Sequence, residues 1–216
     1  MDEWTNEEFY NPFGPNFLRL KINEDIRLKL LDSITICLNS HEPKQFGNEY
    51  INNSVKNSIV DGKIGKITEE WLGKHPGNII KNIIQSLLCR YGELHYNMPC
   101  LSEVVDVWYV IMKAGDFHIL HSHSTVSKDI AALSGAIYLE VPDNLPYPQG
   151  NISWVVGNSE QSLYRNIYEH SPKAGDVFLW PSRLSHTVYP FRSEQERIMI
   201  SFNGAVKPIE NKEDNG

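Results

Sequence analysis

The periodicity of hydrophobic and polar positions changes once along this chain, near Cys100. Before that point the apolar residues recur at helical spacing. Ile26, Leu30, Leu31, Ile34 and Leu38 follow Asn23, an N-cap type, with Glu24 and Asp25 in the first turn, where acids suit the helix dipole. This predicts a helix over 24–39. Ile79, Ile80, Ile83, Ile84, Leu87 and Leu88 form a broad apolar face after Pro76-Gly77 and predict a second helix over 78–91. Phe17–Ile22 alternates apolar and basic residues, as a half-buried strand does. Residues 1–15 read as an extended arm, 40–65 as loop, and Thr68 as the cap of a short helix carrying Trp71.

Beyond Cys100 the period is two or the apolar run is continuous, which predicts strands near 104–113, 117–123, 133–141, 151–156, 176–180, 186–189 and 197–203. Turn-rich separators divide them, among them Lys113-Ala-Gly-Asp and Ser171-Pro-Lys-Ala-Gly-Asp. Many short strands at this spacing suggest a sandwich or jelly roll, with the two helices packed against a sheet. The expected organisation is one domain: arm and supporting helices over 1–100, a β core over 101–207, and a disordered tail over 208–216. No internal repeat and no glycine-rich phosphate loop is read in it.

Composition narrows the classes. A net charge of −7 argues against a nucleic-acid backbone as partner, since phosphate binding wants a basic surface. Cys37, Cys89 and Cys100 are odd in number and lack CxxC spacing, so neither a disulfide framework nor a thiolate zinc site is indicated. The acidic start MDEWTNEEFY has no apolar core of a signal peptide, and no apolar run approaches the ~20 residues that span a bilayer. A soluble, cytoplasmic protein is expected, with no membrane partner. The oligomeric state is open, a dimer being compatible.

Three of the eight histidines, His118, His121 and His123, fall within six residues. Residues two apart on a strand share a face, so His121 and His123 would project together, as two ligands of one metal must. His118 is an odd number of positions from His121 and, on an extended strand, faces away. His41, His75 and His95 lie in or beside predicted loops and read as solvated. A third ligand must come from elsewhere, and His186 lies between two strand-like runs downstream. Eleven residues later Arg197 opens the apolar strand IMISF. Taken singly, His186 reads as a core or surface residue and Arg197 as the partner of Glu194 or Glu196. A guanidinium at the head of an apolar strand nevertheless calls for an anion.

Together these residues resemble the Fe(II)/2-oxoglutarate-dependent oxygenases, in particular their prolyl-hydroxylase-like branch. Gly115 stands six residues before His121, Tyr138-Leu139 matches a Tyr-Leu strand, and Pro172-Lys-Ala-Gly-Asp176 matches the turn before a distal histidine. The wording is closer still to an oxygenase group of marine bacteria and their phages. It shares Gly115-Asp116, His121, His123, Leu133-Ser134-Gly135, Pro181-Ser182, His186, Arg197 and Ser201-Phe202-Asn203. The resemblance implies a double-stranded β-helix (jelly-roll, cupin-like) core, mainly β with flanking helices. It also implies Fe(II) as cofactor with 2-oxoglutarate and O2 as co-substrates, and hydroxylation of a C–H bond in an unidentified substrate, peptidyl proline or another protein side chain being the first guess. It places His121 and His186 on the iron and Arg197 on the distal carboxylate of 2-oxoglutarate, with hydroxyl hydrogen bonds from Tyr138 and Ser201.

The family's usual second ligand is Asp or Glu, and here it is His123. Three readings stay open: His123 ligates directly; a carboxylate from the following loop, Asp129 being nearest, takes the place; or the site has lost its metal. Imidazole is a competent iron ligand. Two other functions also remain, a cupin-like metal protein that does not use 2-oxoglutarate and a non-catalytic jelly-roll module such as a phage particle part. Trp108, Tyr109, Trp154, Phe178 and Trp180 are candidate cavity walls as well as candidate core. If three imidazoles bind the ion, all must be neutral, and free histidine titrates near ~6.5. Metal affinity, followed by calorimetric titration, should therefore fall steeply as pH drops through that region. An affinity flat from about pH 7 to about pH 5.5 would count against a three-histidine site.

Overall fold

In the computed structural model the described residues are 4–12, 14–40, 68–72, 77–123, 131–156 and 166–209. Eleven strands and two helices lie among them. The strands are β1 (Trp4–Tyr10), β2 (Phe17–Ile22), β3 (Thr68–Trp71), β4 (Cys100–Met112), β5 (His118–His121), β6 (Ala131–Glu140), β7 (Ile152–Val155), β8 (Ile167–His170), β9 (Asp176–Pro181), β10 (Ser185–Val188) and β11 (Arg197–Pro208). The helices are α1 (Glu24–Ser40) and α2 (Asn78–Tyr96). A seven-stranded sheet runs β1-β2-β9-β6-β11-β4-β3 and a four-stranded sheet runs β5-β10-β7-β8, with every strand pair antiparallel. From β4 onward the chain passes back and forth between the sheets, which is the double-stranded β-helix.

Strand alternation divides the larger sheet into two apolar faces. Val107, Tyr109, Ile137, Leu139, Val177, Leu179, Ile200 and Phe202 point to the helical side, where they pack with Leu30 and Ile34 of α1 and Ile80, Ile84, Leu87 and Leu88 of α2. Their neighbours in sequence, Val110, Met112, Ala136, Tyr138, Phe178, Trp180 and Met199, point inward between the sheets, against Ile152, Trp154, Leu184 and Val188. The central strands β9, β6 and β11 are thus buried on both faces, which is why their runs read as continuous apolar rather than cleanly alternating.

The helices begin and end as their residues dictate. Asn23 Oδ1 accepts the Ile26 N–H at 2.8 Å, the expected cap of α1. Arg27 of α1 donates to the Leu139 carbonyl at 2.6 Å and ties the helix to the end of β6. Helix α2 runs five residues beyond its predicted end and closes on Asn97, in the left-handed conformation with φ 54° and its N–H on the Glu93 carbonyl. His95, expected in or beside a loop, lies instead in the last turn, exposed as expected, stacked on Tyr91 with ring centroids 6.1 Å apart and bonded to Asn16 at 3.2 Å.

Other expectations change. The N-terminal arm is strand β1, which pairs with β2 and extends the larger sheet. Residues 68–71 form no short helix capped by Thr68 but strand β3, paired to β4 with Trp71 opposite Trp108. Strand β8 was not foreseen. One turn occurs twice. Lys113-Ala-Gly-Asp116 and Lys173-Ala-Gly-Asp176 make the same turn, with Asp N–H on the Lys carbonyl at 3.0 Å in both and the Asp carboxylate accepting the Lys N–H at 2.8 and 2.9 Å. The glycine has φ 85° in one and 88° in the other, where only glycine is at ease. Residues 40–65 beyond Ser40, His41, His75 and the tail from 210 onward lie outside the described residues. No helix among the described residues is long and apolar enough to cross a membrane.

Candidate metal centre and anion pocket

His121, His123 and His186 come together as expected, each offering a ring nitrogen within 4.8 Å of the others. Ligand atoms around one ion at ~2.1 Å lie about 3–4 Å apart, so small ring rotations bring all three onto a single centre. His121 and His186 are direct partners across β5 and β10, with ring centroids 4.3 Å apart. His121 Nδ1 donates to the Ile119 carbonyl at 2.8 Å, and His186 Nδ1 to the Leu184 carbonyl at 3.0 Å. A carbonyl can only accept, so each Nδ1 carries the proton and leaves the Nε2 lone pair for a metal. The chemistry of the donor set thus fits a divalent ion with imidazole preference.

His123 is placed differently from expectation. Strand β5 stops at His121, so strand alternation does not aim His123. Its backbone N–H donates to Ser182 in the turn between β9 and β10, at 2.9 Å. Its ring lies parallel to His186, 5.2 Å away at 7°, and stacks on Trp108, 5.6 Å away at 19°. His118 was expected to face away, and it does not. The register matches His186 with His121 and Val188 with His118, two steps on β10 against three on β5. That extra residue is a bulge, and it reverses the parity on which the expectation rested. The His118 ring lies 5.3 Å from His121, beside the cluster. Asp129, the alternative carboxylate, is outside the described residues.

Burial first, and then the neighbouring His121, hold the His186 pKa well below the ordinary histidine range. The ring is only 5% exposed. The unfolded chain binds this proton near pH 6.5 and the folded protein does not, so this group lowers stability as pH falls below that value and is silent above it. His186 is therefore neutral and ready to ligate at neutral pH.

Arg197 is the other pole of the site. It is 0% exposed, and burial lowers its pKa, although a guanidinium stays charged under any ordinary condition. Its Nη2 donates to the Gly150 carbonyl, and its head sits over the rings of Phe191 and Tyr138 at 5.4 and 5.8 Å. Nε and Nη1 have no hydrogen-bond partner. The acids once weighed as partners are elsewhere: Glu194 and Glu196 are exposed, and Glu196 pairs with Lys113 at 3.1 Å. Among the described residues this buried cation has no counter-charge.

Tyr138 is fully buried with its hydroxyl unpartnered, and burial pushes its pKa up to about 12, so it remains a donor. Ser201 is buried on the same face of β11 as Arg197, but two rungs on, opposite Trp108 and Ala136. Four residues of strand put about 13 Å between the two backbones, and the serine lies opposite Trp108, whose ring stacks on His123. Of the candidate walls, Trp154, Phe178 and Trp180 lie between the sheets. Tyr109 lies on the helical face instead, because odd positions of β4 point there.

With this geometry established, known proteins give it a class. The family model described as "Putative 2OG-Fe(II) oxygenase" matches residues 106–203. No curated protein matches the sequence. Among solved structures the fold is similar to a Pseudomonas putida prolyl-4-hydroxylase, at 14% identity and TM-score 0.55, covering 88% of this chain and 91% of that one. It is similar to a Trichoplax adhaerens prolyl hydroxylase in complex with a hypoxia inducible factor peptide fragment, at 16% identity and TM-score 0.55, covering 86% and 82%. It is also similar to SnoN, a non-heme alpha-ketoglutarate-dependent epimerase of nogalamycin biosynthesis, at 10% identity and TM-score 0.62, covering 90% and 81%. The chain thus resembles the 2OG-Fe(II) oxygenases in sequence over residues 106–203 and in its double-stranded β-helix fold. Those enzymes are oxidoreductases that use Fe(II), 2-oxoglutarate and O2.

The packing around Arg197 gives one test. Gly150 has φ 69°, and a Cβ there would collide with the Arg197 head and with Leu145 Cδ1 at 2.8 Å. Gly150→Ala should displace the guanidinium. The expected outcome is at least a tenfold loss of affinity for a dicarboxylate, read by calorimetry, with metal binding within a factor of about two.

Proposed function

We propose that the protein is an Fe(II)- and 2-oxoglutarate-dependent hydroxylase, with His121, His123 and His186 as the metal ligands. The observation that carries this reading is the buried, unpaired Arg197. An uncompensated buried charge costs several kcal/mol, and a metal site that takes no anion has no use for one. A dicarboxylate supplies what is missing, with one end on the ion and the other on the guanidinium.

Iron, when bound with 2-oxoglutarate and O2, would supply oxidative decarboxylation coupled to insertion of one oxygen atom into a C–H bond. The chain's own residues do the rest. The Nδ1–H bonds to the Ile119 and Leu184 carbonyls fix the rings of His121 and His186, so the ligating nitrogens need not reorganise. Trp108 stacks on His123 and limits its rotation. Arg197 offers N–H groups at Nε and Nη1 that no described residue accepts, donors for the charge-assisted hydrogen bonds that a carboxylate forms. Tyr138 adds a neutral O–H donor beside it. Ser201, on the histidine side of the layer, is placed to hydrogen-bond nearer the metal end. The aromatic layer of Trp154, Phe178, Trp180 and Phe191 keeps water from the guanidinium and so strengthens its pull on an anion. Three neutral ligands leave the ion its full 2+ charge, which favours an anionic co-substrate further.

The substrate proposed first is a peptidyl proline or another protein side chain, in a cytoplasmic setting. Prolyl hydroxylases share this fold, and so do an epimerase and a carbocyclase. Product analysis on candidate peptides is therefore what separates hydroxylation from another oxidation. A cupin-like metal protein without 2-oxoglutarate, or a non-catalytic jelly roll, leaves Arg197 without a role.

The deciding experiment is anaerobic addition of Fe(II) and 2-oxoglutarate, watching for the visible metal-to-ligand charge-transfer band. A band is expected in the wild type, lost in His123→Ala. In Arg197→Ala it should appear only at 30-fold or more higher 2-oxoglutarate, the loss of a charge-assisted pair being worth about 2–5 kcal/mol. No band in the wild type would sink the oxygenase reading.

A further inference from the structure

Five buried polar side-chain atoms among the described residues have no hydrogen-bond partner: Arg197 Nε and Nη1, Tyr138 Oη, Trp154 Nε1 and Trp180 Nε1. All five carry a hydrogen to donate, and of the five only the Tyr138 hydroxyl can also accept. Among the described residues the unpartnered buried side-chain atoms are thus almost exclusively donors. The two indoles are not accounted for by the arginine and tyrosine of the proposed co-substrate site, yet they share its layer. Trp180 meets His186 edge to face with centroids 5.1 Å apart, and Trp154 is the cross-strand partner of His186 on β7. Trp154 and Trp180 touch at 5.3 Å, Trp154 touches Phe178 at 5.5 Å, and Phe178 touches Tyr138 at 6.4 Å, over whose ring Arg197 lies. A continuous row of side chains therefore links the histidine cluster to the buried guanidinium, with an orphan N–H or O–H at almost every step.

We infer that the indole N–H groups of Trp180 and Trp154 are positioning donors for the bound 2-oxo acid, making the site selective for a ligand that presents only acceptors. The inference rests on the proposed function, whose co-substrate it describes. Phenylalanine would fill aromatic space without leaving an N–H to desolvate, whereas two buried indoles are retained unsatisfied. A ligand with acceptors along its length satisfies them. 2-Oxoglutarate does so with two carboxylates and a keto oxygen. L-Glutamate is the same length but carries an ammonium group at position 2, a donor set against donors, and polar mismatch of this kind gives strong discrimination.

The test uses the full chain loaded with Zn(II), which imidazole ligands hold and which is inert to O2. The five tryptophans give five indole N–H signals in a proton–nitrogen spectrum, and Trp154→Phe and Trp180→Phe assign two of them. On adding 2-oxoglutarate those two signals should move downfield as new hydrogen bonds form, and L-glutamate should move neither. By calorimetry each Phe variant should bind 2-oxoglutarate about tenfold more weakly while Zn(II) affinity stays within about twofold, a split that general loosening of the core does not produce. Saturable 2-oxoglutarate binding with both indole signals unmoved, as expected if the N–H groups merely point at neighbouring ring faces, would overturn the inference and leave the proposed function standing. If Trp154→Phe does not fold, the Trp180 signal and variant decide alone. No 2-oxoglutarate binding to the wild type would remove the proposed function itself, and the inference with it.

Discussion

A positive charge buried with no negative one beside it among the described residues governs this molecule. Arg197 is held by one carbonyl, from Gly150, and by the faces of Tyr138 and Phe191, and two of its nitrogens have no acceptor among the described residues. Such an arrangement survives because the larger sheet over-determines it. Strand β11 is hydrogen-bonded along its length to β4 on one side and β6 on the other, so its first residue cannot swing out to solvent. The stability lost to desolvating the guanidinium is borne by the two apolar layers, and the proposed anion would recover it. Strain concentrated at one point of a well-packed scaffold is a usual mark of a ligand site.

The histidine cluster depends on the same scaffold through different local devices. His186 and His121 face each other because β10 and β5 pair there. His123 is beyond the strand and is set by a hydrogen bond to the Ser182 turn and by the ring of Trp108, which itself lies opposite Ser201 of β11. A carboxylate in that position would need hydrogen bonds to orient it, whereas an imidazole can be oriented by flat neighbours. His123 and the two parallel rings around it are thus parts of one arrangement.

Much of this was legible in the sequence. The capped apolar stripe of α1, the Ile-rich face of α2 and the seven strands from Val104 to Asn203 could be read from periodicity, because each buries one face against a partner of known period. His121, His123, His186 and Arg197 could be singled out because their chemistry is costly without a purpose. What could not be read was anything decided by pairing. The bulge that turns His118 toward the cluster depends on the register with β10. Strands β1 and β3 are polar edges whose extended form comes from the neighbour they bond. The isolation of Arg197 from Glu194 and Glu196 is likewise tertiary, since separations of three residues and one say nothing about which side chains meet. The recurrence of Lys-Ala-Gly-Asp was visible in the letters and was passed over, being too short to look like a repeat until both copies proved to make one turn.

The central claim is that the missing counter-charge of Arg197 is the far end of a ligand whose near end lies on the three histidines. A crystal structure of the protein grown without O2, with Mn(II) in place of iron and with 2-oxoglutarate, tests it most directly. The account requires the ion about 2.1–2.2 Å from a nitrogen of each of His121, His123 and His186, and a carboxylate accepting from the Arg197 guanidinium through Nε or Nη1. An ion held by His121, His186 and a carboxylate from the chain, or an Arg197 still without an anion when 2-oxoglutarate is bound, would contradict it.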